Sequence, residues 1–202
     1  MNSLASKRMT VSEYFAHERT ALNKSEFYDG ELFAMAGASV PHNSIKENLI
    51  IEFGSRIKGS KCRSFSSDQR VLVDRTGLYT YPDLVIVCGE LQYAESNDET
   101  ITNPQVIFEV LSDSTERYDR TTKFRMYQQI SSLQEYILVS QHEPVCERFV
   151  RQGDGTWALR AFVGREATLE LVTVDAQVKL ADIFARTILP SEQQSRARSE
   201  AK

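Results

Sequence analysis

The chain has no hydrophobic run long enough to cross a bilayer. Its longest apolar stretches, Leu84–Cys88 and Ile137–Val139, are strand-sized, against the roughly 20 residues a membrane helix needs. Met1–Thr10 holds no apolar run of signal-peptide length. The expectation is a cytoplasmic protein with no membrane partner. Cysteine is scarce: Cys62, Cys88 and Cys146 stand far apart, form no CxxC pair and are odd in number. That speaks against a disulfide scaffold or a zinc site and fits reduced, buried thiols. Positive charge is not in excess, since 24 Lys and Arg face 28 Asp and Glu for a formal net charge of −4. That argues against a strong non-specific nucleic-acid or membrane binder and leaves room for a binder with one local basic strip. No internal repeat, low-complexity block, zinc finger, recognition helix or ladder of stacking aromatics is visible, so nothing argues for sequence-specific base readout.

What is present is an ordinary globular composition of 202 residues, 41% hydrophobic and 26% charged, enough for one domain or one domain with an added lobe. Thr10 and Glu13 have capping-box spacing before Val11, Tyr14 and Phe15, predicting a helix. Asp29-Gly30 between Glu26–Tyr28 and Glu31–Met35 predicts a two-residue hairpin, whose turn needs positive φ at both central positions. Pro41 with Ile45, Leu49, Phe53 and Ile57 after it predicts an amphipathic helix over 41–57. Strands are expected at Cys62–Ser66, Arg70–Asp74, Tyr79–Cys88, Gln105–Leu111 and Glu135–Ser140, and a second helix at Arg117–Ser131. Gly89–Asn103 reads as a long polar loop, and 145–180 as a meander or sheet extension. The fold class is α/β or α+β: a single domain over 10–189, with flexible ends at 1–9 and 190–202.

Two carboxylates are out of place. Asp83 precedes five apolar residues in YPDLVIVC, and Glu109 interrupts the apolar run VIFEVL. Continuous apolar strands are buried on both faces, and a buried carboxylate needs a cation, hydrogen-bond donors or a raised pKa. Two such acids on neighbouring strands can share a divalent ion, with oxygen ligands that suit magnesium or manganese. The alternative is an exposed strand end for Asp83 and an arginine partner for Glu109. A helical wheel of 117–131 gathers Phe124, Met126, Tyr127 and Ile130 into one arc, with Lys123 inside it, Asp119 one turn earlier and Arg125 pointing away. Either Lys123 snorkels or pairs with Asp119, or its ammonium stands beside the two acids. In the second case the set can cleave a phosphodiester.

The order Pro82-Asp83, strand Glu109, helix lysine resembles the PD-(D/E)XK nuclease superfamily. More closely, FYDGELFAMAGASVPHNSIKENL, YPDLVIVCGE and PQVIFEVLSDSTERYDRTTKFRMYQQISSLQEYILV resemble the Uma-two family. The resemblance implies a restriction-endonuclease-like fold, with a central mixed sheet flanked by helices and a C-terminal β extension. It also implies a metal-dependent endonuclease acting on DNA with Mg²⁺ or Mn²⁺, and a homodimer. Asp83 and Glu109 would be the metal-binding acids, with the backbone carbonyl of Val110 as a third ligand. The superfamily lysine stands two residues after the glutamate, where this chain has Leu111; in the Uma-two pattern Lys123 takes its place, so the catalytic set is Asp83, Glu109 and Lys123.

Other residues are secondary candidates. His42 falls in the apolar arc of its helix, either to contact a phosphate or a water, or as a packed, hydrogen-bonded histidine. Glu31 resembles a family acid that adds an outer contact or a second metal, with an exposed hairpin residue as the alternative; Glu26 is similar, with weaker support. Asp68 lies between two strands, near the site or simply in a turn. Ser114 and Asp119 cap or brace the second helix. Two basic strips, Arg56-Lys58-Lys61-Arg63 and Arg117-Arg120-Lys123-Arg125, can meet a phosphate backbone. For the first, favourable placement of cations at a helix C-terminus is the competing reading.

Overall fold

A computed structural model describes residues 8–35, 37–95 and 97–190. The expected flexible ends fall, apart from Arg8, Met9 and Pro190, outside the described residues. Helix α1 (Val11–Glu18) starts on the expected capping box, Thr10 and Glu13 each bonding the other's backbone N–H. Strands β1 (Ser25–Tyr28) and β2 (Glu31–Ala34) form the hairpin, with φ of 49° at Asp29 and 81° at Gly30. Both central residues are therefore left-handed, as a type I′ turn requires. Any Cβ at Gly30 would also lie 2.5 Å from Cβ of Arg8. Helix α2 (Val40–Ile57) is N-capped by Ser39. Then come β3 (Cys62–Ser66), β4 (Arg70–Val73), β5 (Leu78–Thr80), β6 (Leu84–Cys88), β7 (Tyr93–Ala94), β8 (Asn97–Ile101) and β9 (Val106–Leu111). A helical segment runs as α3 (Glu116–Tyr118), a π-helical turn (Asp119–Lys123) and α4 (Phe124–Tyr127). Strands β10 (Glu135–Ser140), β11 (Val145–Arg151), β12 (Trp157–Val163), β13 (Thr168–Leu171) and β14 (Ala176–Lys179) and helix α5 (Leu180–Ile183) complete the chain.

Two six-stranded sheets dominate, in the orders β2-β1-β5-β4-β8-β7 and β12-β11-β10-β9-β6-β3. The second is mixed: β9 and β10 are parallel, joined by the helical segment as a crossover, and its other pairs are antiparallel. Its apolar strands are buried on both faces. On one side Leu84, Ile86, Phe108 and Val110 pack against Ile45, Leu49 and Phe53 of α2 and against the β13–β14 hairpin. On the other, Val85, Val87, Ile107 and Leu138 meet Val71, Val73 and Leu78 of the first sheet and Tyr127 of the helical segment. Helix α1 covers the outer face of the first sheet with Tyr14 and Phe15, against Phe27, Leu72 and Tyr79. The architecture is thus α+β, layered around one mixed sheet, with β11 and β12 widening that sheet.

Several sequence expectations are corrected. Tyr79–Cys88 is not one strand: β5 ends at Thr80 in the first sheet and β6 begins at Leu84 in the second, so Tyr81-Pro82-Asp83 carries the chain between sheets. Pro82 explains the break, because it has no N–H to give to a ladder. Gly89–Asn103 is not a loop throughout, since β7 and β8 pair antiparallel within it and bury Thr100 and Ile101. The second helix closes at Tyr127 rather than Ser131 and contains the π turn. Cys62 and Cys88 are not reduced thiols: they form a disulfide, Cα–Cα 3.9 Å, and only Cys146 is a free, buried thiol. Spacing along the chain could not anticipate this, because β3–β6 register sets Cys62 directly opposite Cys88.

Candidate active site

Asp83 sits just before β6. The β6–β9 register pairs Leu84 with Phe108, so Asp83 falls where the ladder would continue. There its Oδ2 accepts from the Val110 N–H at 2.8 Å, doing the work of a strand carbonyl. His42 Nε2, one turn into α2, lies 3.4 Å from the same oxygen. Glu109 stands mid-strand in β9, buried on every side. Its Oε1 accepts from the Tyr127 hydroxyl at 2.8 Å and lies 2.9 Å from Lys123 Nζ.

Lys123 ends the π turn. A π turn inserts a residue into a helix and re-aims the side chains beyond it, a device frequent at functional sites. The ammonium is buried and also reaches Glu26 Oε1 of β1 at 2.9 Å and Asp119 Oδ1 at 3.6 Å. Thr80 Oγ1 donates to the same Glu26 oxygen at 2.5 Å. Tyr136 of β10 donates its hydroxyl to the Asp119 carbonyl at 3.1 Å, tying the π turn to the sheet.

Three buried carboxylates thus close on one ammonium, and a fourth, Asp83, lies beside a histidine. Burial drives Glu109 above the usual carboxylate range, and repulsion from Asp119 and Asp83 adds to this, with Lys123 opposing. Burial likewise raises Asp119 against the pull of Lys123. Glu26 goes the other way: burial would raise it, but Lys123, Thr80 and Tyr118 together hold it below its ordinary value. Burial alone would lower Lys123, yet the surrounding carboxylates keep it well above the ordinary lysine value, so it stays the cation. Four carboxyl groups outnumber one ammonium, so a hard divalent cation held by Asp83 and Glu109 would relieve the repulsion that raises Glu109; their close contacts fall on Oδ2 and Oε1 respectively. Among the described residues no three His, Cys, Asp or Glu side chains enclose a metal by themselves. An ion here would complete its shell with peptide oxygen and water, as magnesium commonly does.

Of the residues singled out from sequence, Asp83, Glu109, Lys123, His42, Asp119 and Glu26 meet in this cluster. Val110 touches it through its N–H on Asp83. Glu31 does not join: it is exposed on β2, opposite Tyr28. Asp68 does not join either, being an exposed partner of Lys24 on the wall of a separate cavity. Both basic strips are partly spent internally, Arg56 on Glu52 and the Gln177 carbonyl and Arg120 on Glu116 and Glu147. Sequence reading missed the polar roles of Tyr127 and Thr80. The signal for Tyr127 was present: a tyrosine in a buried arc carries a hydroxyl that needs a partner.

Comparison with known proteins gives the family and the fold of the chain. Residues 11–181 match the Uma2 family, described as "Putative restriction endonuclease". Two uncharacterised proteins of Synechocystis are similar. One, sll1609, is 35% identical over 164 residues, covering 81% of this chain and 93% of the relative. The other, slr1290, is 34% identical over 152 residues, covering 75% and 79%. Among solved structures, one from Anabaena variabilis titled "a putative nuclease belonging to DUF820" superposes with a TM-score of 0.72 at 16% identity, covering 89% of this chain and 99% of that one. At that identity the likeness is one of fold.

Proposed function

The chain belongs to the Uma2 family, and we propose that it is a divalent-metal-dependent endonuclease hydrolysing DNA phosphodiester bonds. The observation that carries this reading is the meeting of Asp83, Glu109 and Lys123, from three separate segments, in one buried cluster where carboxyl groups outnumber the single ammonium. Asp83 and Glu109 would hold Mg²⁺ or Mn²⁺, with the Val110 carbonyl as a further oxygen. When bound, such an ion supplies positive charge to a phosphoryl oxygen and makes a water more acidic. Asp83 is oriented for this by the Val110 N–H and His42, and Glu109 by Tyr127. Lys123, steadied by Glu26 and Asp119, offsets the charge that grows on the phosphoryl group or orients the attacking water. The test is nicking of plasmid DNA with and without Mg²⁺ or Mn²⁺. Cleavage that chelation stops, and that Asp83→Ala and Glu109→Ala both abolish while remaining folded, supports the assignment; full activity in either variant refutes it.

A second reading, a nuclease-fold DNA-binding or assembly module without catalysis, is favoured by one observation. The superfamily's lysine position holds Leu111, packed in the apolar core, while Lys123 is engaged by three carboxylates. Calorimetry separates the two: the enzyme requires divalent-ion binding that disappears in Glu109→Ala.

A further inference from the structure

Between the first sheet and the end of β3, lined by residues two places along the chain from Glu26 and from Asp83, lies a half-open cavity of about 540 Å³, a volume usual for small-molecule sites. We propose that it seats a single unstacked nucleobase of the substrate strand, so that the enzyme works on single-stranded or locally unpaired DNA. This rests on the nuclease reading above and adds its substrate form.

Three observations carry the proposal. The first is aromatic lining: Phe65, Tyr81 and Tyr93 border the cavity. Tyr93 is 50% exposed on the outer strand β7, and among the described residues no other ring stacks on it. A large aromatic left half in water beside a cavity has the form of a stacking platform, and every base offers a π-face to one. Tyr81 is held rigid, its hydroxyl donating to Glu18 and accepting from Arg70 Nε, so that wall is preformed.

The second observation is charge. The lining carries Lys24 and Arg70 against Glu18, Asp68 and Glu99, two cations against three carboxylates. A phosphate would be disfavoured there, whereas a neutral planar ring with N–H groups would not. The third is position. The cavity and the acid cluster share the same short chain segments: Lys24 just before β1 with Glu26 inside it, and Tyr81 with Asp83 on the link between sheets. On α2, His42 and Lys46 are one turn apart; Lys46 bonds Ser67 Oγ at 3.2 Å, and the Ser67 carbonyl accepts from Lys24 at 2.7 Å. Two residues along an extended chain span about 7 Å, so a strand with its phosphate at Asp83 and Glu109 has a neighbouring base within reach of the cavity. A base paired within a duplex is stacked on both faces and cannot enter; it must be out of the helix.

The test measures binding without cleavage. A fluorescein-labelled mixed-sequence 12-nucleotide DNA, single-stranded or annealed to its complement, is titrated in EDTA with the wild type, Tyr93→Ala and Tyr93→Trp, each also in a Glu109→Gln background. We expect the single strand to bind at least ten-fold tighter than the duplex, Tyr93→Ala to weaken it about ten-fold and collapse that preference, and Tyr93→Trp to keep it. The proposal is overturned if Tyr93→Ala binds the single strand as wild type does, or if the duplex binds as tightly as the single strand. Failure of the nuclease reading looks different: no cleavage with any divalent ion, while Tyr93-dependent binding of the single strand persists.

Discussion

Lys123 meets three carboxylates within 3.6 Å, and all four groups are buried. Breaking a buried ion pair from one side costs about 3–5 kcal/mol, because the other charge is left without a partner. Lys123→Ala should therefore lower stability by roughly that much in urea denaturation, as well as remove activity. Lys123→Ala/Glu109→Gln should lose less than the sum of the two single changes, since the second removes a charge the first orphans. A loss that is fully additive would mean that the two side chains do not interact. Glu26 gives a test by pH. Its folded pKa lies below its ordinary value of 4.5. As pH falls below 4.5 the unfolded chain takes up the proton first, so the stabilisation is present above that pH and is lost as pH falls through the folded pKa. Acid titration of stability should be shallower in Glu26→Gln than in the wild type over that window. At this scale Asp83, Glu109 and Lys123 are legible in the sequence, because a charge inside an apolar run or arc is anomalous wherever the run packs. Glu26 reads there as a weaker candidate than Glu31, since both flank the same turn and only packing shows which of the two points inward.

Among the elements, the π turn Asp119–Lys123 carries both buried charges of the helical segment, Asp119 and Lys123. Periodicity locates the helix but assumes a uniform 100° per residue, which a π turn breaks. Deleting Thr122 should restore a regular α-helix and turn the residues beyond it by about 100°, parting Lys123 and Tyr127 from Glu109. Divalent-dependent cleavage should vanish while the far-ultraviolet circular dichroism stays near that of the wild type; retained cleavage would show that the turn does not aim the lysine. The β5–β6 break is hidden from sequence for a related reason. The apolar pattern continues through Tyr81 and Pro82, and only the assignment of the two halves to different sheets reveals Asp83 as a residue between layers.

Across the whole molecule, the disulfide fastens edge strand β3 to β6, the strand that Asp83 introduces. A link across 26 residues removes loop entropy from the unfolded chain worth about 3 kcal/mol. Reduction with dithiothreitol, or Cys62→Ser/Cys88→Ser, should shift the denaturation midpoint down by that order and leave the circular dichroism of the folded state unchanged. An unchanged midpoint would refute the link. The sequence by itself determined the local elements that capping, turn chemistry and apolar period dictate, together with the identity of the anomalous charges. Those signals depend on residues within a turn or two of one another. Tertiary structure alone decided which charges share a pocket, that Cys62 faces Cys88, and that Tyr93 borders a cavity. These are contacts between segments far apart in the chain, set by sheet order and register, and spacing along the sequence carries no record of them.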